Sequence, residues 1–339
     1  MKPETQREGQ RGQALPLFTI MLIALIAATG LVIDVGGAWA QERSQQKASD
    51  VAALAGATKE ANGGTRQEII DAATASAIAN GYAAGEVQVN IPPTTGKYAP
   101  GPGKDAMLAN DCSTPALYPC WVEVKITRSH SNYFAGVIGQ GNWNVGARGV
   151  AVGGIANSVL NGIAPLMFDV KAVQDAANPT QKKRYCDPQD NKCNPNNDFP
   201  LLADQFNYTT FCVKGGKCNV SSNDAVDIIE GGGLQFTVTL GMDLGAHNQG
   251  QHTAVCKALL DAYPNGSDLT VAINDDNGNL YGFWTWHFDA AGTDCNGKDG
   301  ELVSGWFIND ITATYTYPLT IVPGAPAATF GQYVVQLVE

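Results

Sequence analysis

The hydrophobic pattern changes character twice along the chain. From Ala14 to Ile33 the residues ALPLFTIMLIALIAATGLVI carry no charge, and Asp34 ends the run. A helix of that length rises about 30 Å, the thickness of a bilayer's hydrocarbon, and it has no polar face to turn towards water. Beyond Asp34 no proline occurs before Pro92, and Ala48, Val51, Ala52 and Ala55 stand at i, i+3, i+4 and i+7, the stripe of an amphipathic helix. The spacing predicts helix packing through these four small residues, with Gln41, Glu42, Arg43, Gln45 and Gln46 in water. One helix from about Leu15 to Ala61 is expected, near 70 Å long, half in lipid and half outside, and stopped by Asn62-Gly63-Gly64.

Thr65 with Glu68 forms a capping box, and Ile69, Ile70, Ala73 and Ala77 continue at helical spacing to Asn80-Gly81, which predicts a second helix. The period then falls to two. Val87, Val89 and Ile91 alternate with polar residues, as do Val122, Val124 and Ile126, and Trp143, Val145, Ala147 and Gly149 suggest a third strand. A short helix is expected over residues 133–138. After Gly153-Gly154 the chain reads as mostly β. Its expected strands are Leu234–Leu240, Leu269–Ile273, Leu280–Phe288, Leu302–Ile308, Ile311–Ile321 and Tyr333–Val338, with an Asn277-Gly278 turn and one helix near His252–Tyr263.

The fold class is therefore α+β: a long N-terminal transmembrane helix, a small α/β domain and a mostly β domain. The expected divisions are 1–13, 14–33, 34–154 and 155–339. The length of 339 residues and 44% hydrophobic content support a real core, and a net charge of −11 argues against nucleic acid as a partner. Lys2, Arg7 and Arg11 before the span outnumber Arg43 and Lys47 after it, which favours a cytoplasmic N-terminus in a single-pass cell-membrane protein.

All eight cysteines, Cys112, Cys120, Cys186, Cys193, Cys212, Cys218, Cys256 and Cys295, follow the span, an even number suited to disulfides in an extracytoplasmic compartment. Sequential pairing would close three short loops and one long one, among 105 connectivities. Ala38-Trp39-Ala40 also reads as a signal-peptidase site, but a signal's apolar core is about 7–15 residues, shorter than this run, so retention is expected.

Candidate chemistry is sparse. No nucleophile elbow, metalloprotease helix, paired-cysteine or phosphate-loop motif occurs, so no catalytic residue, cofactor or metal is expected. His247 and His252 fit part of a zinc site, but Cys186–Cys193 and Cys212–Cys218 are too widely spaced to complete a knuckle. Asp275, Asn277 and Asn279 alternate like a calcium loop, yet Leu280 and Trp286 occupy its glycine and glutamate positions. Trp284, Trp286 and Phe288 on one face, with Tyr281, Phe283 and His287 on the other, read as a strand buried on both sides. The other reading is a platform for a surface glycan or protein ligand.

The run Arg11 to Ala57, with Gly12-Gln13-Ala14-Leu15 at its start, Asp34-Val35-Gly36 after the span and Asp50 before an alanine-rich helix, resembles the TadG-like N-terminal segment of Tad (Flp) pilus-assembly proteins. Asn132–Gly139 and Val145–Gly154 are similar to the short aromatic helix and returning strand of that family. Two family motifs differ here. Leu17 stands where related pseudopilins place Glu, and Asp111-Cys112-Ser113-Thr114-Pro115 lacks the last serine of a von Willebrand metal motif. The resemblance implies a membrane-anchored, non-enzymatic pseudopilin-like or assembly component of a Tad/Flp-type pilus, whose partners are the lipid bilayer and other pilus-assembly or pilin subunits. A secreted or surface-bound adhesin or carbohydrate-binding module released after Ala40 is the alternative.

Overall fold

The computed structural model describes residues 14–113, 119–170, 183–186, 199–200, 206–209, 221–242, 247–249, 253–274, 279–296, 303–308, 312–313, 319–322 and 331–339. The first unit contains α1 (Ala14–Ala61), α2 (Arg66–Ala79), β1 (Val87–Asn90), β2 (Cys120–Ser131) and β3 (Asn142–Ile155). Next come β4 (Ser158–Val159), β5 (Ile163–Asp169), β6 (Lys183–Cys186), β7 (Phe199–Pro200), β8 (Phe206–Thr209), α3 (Ser222–Glu230), β9 (Val238–Thr239) and β10 (His247–Gln249). The chain finishes with α4 (Thr253–Ala262), β11 (Ser267–Asn274), β12 (Leu280–Phe288), β13 (Val303–Phe307), β14 (Thr312–Ala313), β15 (Leu319–Thr320) and β16 (Tyr333–Leu337).

These strands build two large sheets and a small one. The first runs β1-β2-β3-β16-β14, the second β10-β8-β5-β11-β12-β13-β6-β7, and β15-β4-β9 forms the third. Alternation along β2 explains the layering. Val122, Val124 and Ile126 face α1 and α2, together with Ile69, Ala73 and Ala77 of α2, whereas Trp121 faces the second sheet. Between the sheets, Trp121, Val150, Val152 and Val334 meet Ile163, Met167, Ala272 and Phe283. The far side of the second sheet presents Leu166, Phe168, Trp284, Trp286 and Phe288 to Ile229 of α3 and to Val255 and Leu259 of α4. The order of layers is thus helices, sheet, sheet, helices, an α+β architecture.

The helices begin where local chemistry dictates. Thr65 caps α2 with Glu68 closing the box, and Ser221 with Asp224 does the same for α3. α1 runs unbroken through 48 residues, about 72 Å.

The second half of α1 lies on β3 at close range. A Cβ on Gly149 would stand 2.8 Å from the Asp50 nitrogen, and one on Gly153 would collide with the Ala57 carbonyl. Opposite these glycines α1 presents Ala48, Ala52, Ala53 and Ala57, all buried. The packing face expected at Ala48, Val51, Ala52 and Ala55 is therefore displaced. Ala48 and Ala52 lie on it, but Val51 is 48% exposed and Ala55 sits half-buried at its margin, because the close approach to Gly153 turns Ala57 inward while Gly56 faces Val122, Ala73 and Ile69.

Strand β16 pairs with β3, Tyr333 opposite Ile155 and Leu337 opposite Ala151, and β14 lies beyond it in parallel. The division expected at residue 155 is thus crossed by the chain. Pairing covers an edge that β3 would otherwise leave open, and Val334 and Val335 supply one side chain to each adjoining core. Of the strand expected over Ile311–Ile321, β14 and β15 are described and the residues between lie outside the described set. Over Leu234–Leu240 only β9 and a single bridge from Leu234 to Ile163 form, and the Asn277-Gly278 turn lies outside the described residues.

Glu60, on the last turn of α1, points into the seam beside Gly153, and its Oε2 is shut off from solvent without a hydrogen-bond partner. Burial pushes its carboxyl from 4.5 up to about 9, although the Cys120 N–H draws it partly back. Because the folded state holds this proton and the unfolded state does not, the group destabilises the fold progressively between pH 4.5 and about 9. Glu60→Gln is expected to raise the unfolding midpoint at pH 8 and to flatten its decline over that window in thermal melts. Gly153→Ala is expected to cost about 1–3 kcal/mol in denaturant titration by overpacking the same seam.

Candidate functional site

From Leu15 to Ile33 every residue of α1 except Gly30 is exposed. The mean hydropathy of this stretch reaches 2.5, and among the described residues α1 is the one helix long and apolar enough to cross a membrane. The junction between this bare half and the covered half is built by the turn that joins β2 to β3.

Asp34 organises that junction. One of its oxygens accepts the N–H of Tyr133 at 2.9 Å, and the other accepts those of Phe134 at 3.0 Å and Ala135 at 2.6 Å. These donors open the 3-10 turn Ala135–Ile138, so a carboxylate from a distant helix caps it. Four residues earlier Gly30 makes room for the Phe134 ring, whose Cγ would lie 2.5 Å from an added Cβ. The sequence pattern marks Asp34 as the end of the apolar run but carries no sign of its partner, which lies 99–101 residues further on.

Above Asp34 a row of side-chain amides ties α1 to the strands. Gln41 donates through Nε2 to the Arg128 carbonyl at 3.1 Å, and its Oε1 accepts from His130 Nδ1 at 2.9 Å. Gln45 donates to the Val145 carbonyl at 3.1 Å, and Gln46 to the Arg148 carbonyl at 2.8 Å. The expectation that these glutamines are solvated is overturned: Gln45 is fully buried, and Gln41 and Gln46 are half-buried. Their amides reach backbone carbonyls only because the glycines of β3 let the helix come so close. Glu42 and Arg43 do remain exposed, with the Arg43 guanidinium 3.8 Å from the centre of the Trp39 ring.

A charged network sits on the opposite face of the first sheet. Glu123, fully buried, receives Arg148 Nε at 2.5 Å, Asn90 Nδ2 at 2.7 Å, and the Thr94 hydroxyl and N–H at 2.8 and 3.1 Å. Arg148 also pairs with Glu339 at 3.1 Å. Burial works to raise the Glu123 carboxyl, but Arg148, Thr94 and Asn90 together hold it down at about 2. The network locks β1, β2, β3 and the C-terminal residue of the chain to one another.

Of the eight candidate cysteines, Cys112 bonds to Cys120 and Cys256 to Cys295. Cys186 lies in β6 with its side chain outside the described set, and Cys193, Cys212 and Cys218 also lie outside it. The aromatic strand is β12, and Trp284, Trp286, Phe288 and Phe283 are all buried, so it offers no glycan platform. His287 stacks on Trp306 at 4.1 Å and meets Asp268 at 2.6 Å. The side chain of His247, and all of His252 and residues 275–278, lie outside the described residues. Ala38-Trp39-Ala40 falls in mid-helix.

Asp34→Ala is expected to release the turn. Amide exchange at Tyr133, Phe134 and Ala135 should quicken by about tenfold or more while that of β11 and β12 stays unchanged, as read by hydrogen–deuterium exchange. For Glu123, whose folded value lies below its unfolded 4.5, the stabilisation is complete above pH 4.5 and is lost as the pH falls towards 2. Glu123→Gln is expected to lower stability at pH 7 and to leave a shallower acid limb in pH-dependent melts.

Residues 12–59, which run from just before α1 to near its end, match the Flp pilus-assembly TadE/G-like (Tad) family model. No curated protein and no solved structure matches the chain. The match falls on the same segment as the TadG-like resemblance, a helix that is bare along its first half and packed on a sheet along its second.

Proposed function

We propose that this chain is a membrane-anchored, non-enzymatic component of a Tad/Flp-type pilus, a pseudopilin-like subunit or assembly factor acting through protein contacts outside the cytoplasm. The observation that carries this reading is the division of α1. From Leu15 to Ile33 every residue but Gly30 is exposed, as a lipid-solvated segment requires, and the family match spans this bare half and most of the half packed on the sheet. The disulfides Cys112–Cys120 and Cys256–Cys295 support placing the bulk of the chain in an oxidising compartment, and the cation excess before the span supports a cytoplasmic N-terminus.

In this reading the chemistry is mechanical. The helix carries load between bilayer and outer domain, Asp34 and the glutamine row keep it from peeling off the sheet, and other pilus-assembly or pilin subunits bind the outer domain. Release as an adhesin after Ala40 would cut α1 in mid-course and discard the Asp34 cap, so retention is the better account.

Deletion of residues 14–33 is expected to move the protein from the carbonate-resistant membrane pellet to the soluble fraction, and persistence in the pellet would contradict the anchor. Loss of the whole protein in its native host is expected to abolish or shorten surface pili in electron micrographs. Pili of normal number and length would count against the pilus role.

A further inference from the structure

We infer that the β2–β3 turn, residues 131–142, is a second membrane contact, seated in the lipid interface beside α1. The inference rests on the reading of Ala14–Ile33 as the lipid-embedded span, and it adds a monotopic contact that a single anchor does not require.

Height comes first. Phe134 packs on Gly30 and the turn's N–H groups are bound by Asp34, so the turn is level with the last turn of the span and the residue that ends it. At that level Tyr133 is 78% exposed, Val137 85% and Phe134 42%, an apolar protrusion at the height of the exposed Leu31 and Ile33 of α1. In water these side chains gain nothing from their position. In the boundary between headgroups and acyl chains they would be covered.

The backbone is equally suited to that boundary. The N–H groups of Tyr133, Phe134 and Ala135 are taken by Asp34, and those of Asn132, Val137, Gly139 and Gln140 by carbonyls within the turn. The Asn132 amide donates to the Gln140 carbonyl. A turn so paired can leave water without stranding those donors. From Ser131 to Ala147 no Asp, Glu, Lys or Arg occurs, while Arg128 and Arg148 flank the stretch. Trp39 on α1 and Trp143 on β3 line a groove of about 470 Å³, with Val35, Ala38 and Val145 beside them and Glu42 and Asn144 as its polar lining, and indoles at the edge of a span form the aromatic belt of a membrane protein.

The test uses the full chain, disulfides intact, reconstituted in phosphatidylcholine–phosphatidylglycerol vesicles. An environment-sensitive fluorophore is attached to single cysteines introduced as Ile23→Cys in the span, Val137→Cys in the turn and Asp71→Cys on the exposed face of α2. Lipids brominated at different depths serve as quenchers. The expected result is quenching at Ile23 by deep bromines, about twofold or greater quenching at Val137 by shallow bromines, and none at Asp71. If Ile23 is quenched and Val137 stays in water, the anchor stands and the second contact is overturned. A Val137 label shielded from water yet insensitive to bromines would mean that a protein neighbour covers the turn, which also overturns it. No quenching at Ile23 would overturn the anchor and the contact together.

Discussion

The close approach of α1 to β3 is the constraint on which the other features depend. Gly149 and Gly153 remove side chains from the strand, and Ala48, Ala52, Ala53 and Ala57 remove all but a methyl from the helix, so the two backbones meet almost directly. Contacts at such range gain dispersion energy along their whole length and leave no room for a misplaced rotamer. The same proximity brings the amides of Gln41, Gln45 and Gln46 within reach of strand carbonyls, and the Asp34 carboxylate within reach of the turn. Moving the helix outward by a single side-chain layer would undo the hydrophobic seam and every one of these polar ties.

The features legible in the sequence were those set by neighbours in the chain. The apolar run, the Thr65–Glu68 box and the alternation of β2 and β12 are local signals; α1, α2 and β12 form within a residue or two of their expected limits, whereas β2 continues past Ile126 to Ser131. What escaped depends on a distant partner. A stripe of alanines does not declare its own width, and only the glycines of β3 decide that Ala53 and Ala57 are covered while Val51 is left out. Strand β5 is buried on both faces and so lacks alternation, which made it indistinguishable from an apolar loop. Helix α3 had a readable signal in Ser221 and Asp224, yet it is short and lies next to a long polar segment. The Asp34 site is the least readable feature, because a single aspartate after a greasy run is an ordinary boundary residue until the fold delivers three N–H groups to it.

The two large sheets share a core between them, beside the one that each forms with its own helices. Trp121 and Val334 from the first sheet and Phe283 and Met167 from the second belong to the same cluster, so the β-rich part is not a tethered passenger. A pull on the outer sheet is met by this common interior and by the charged lattice of Glu123, Arg148 and Glu339 before it reaches the helix. In the proposed pilus role, such stiffness would let displacement at one end arrive at the other with little loss.

The return of β16 to β3 also sets the order of events during biogenesis. A ribosome delivers α1 and β3 early, but the strand that completes their sheet arrives only after the entire second sheet has been made. Until then β3 offers a raw border to any passing strand, and the seam beneath α1 lacks Val335. The nascent polypeptide must therefore be shielded, or its helix held elsewhere, until synthesis reaches Tyr333, and a truncated product would expose an adhesive border instead of a smaller working part.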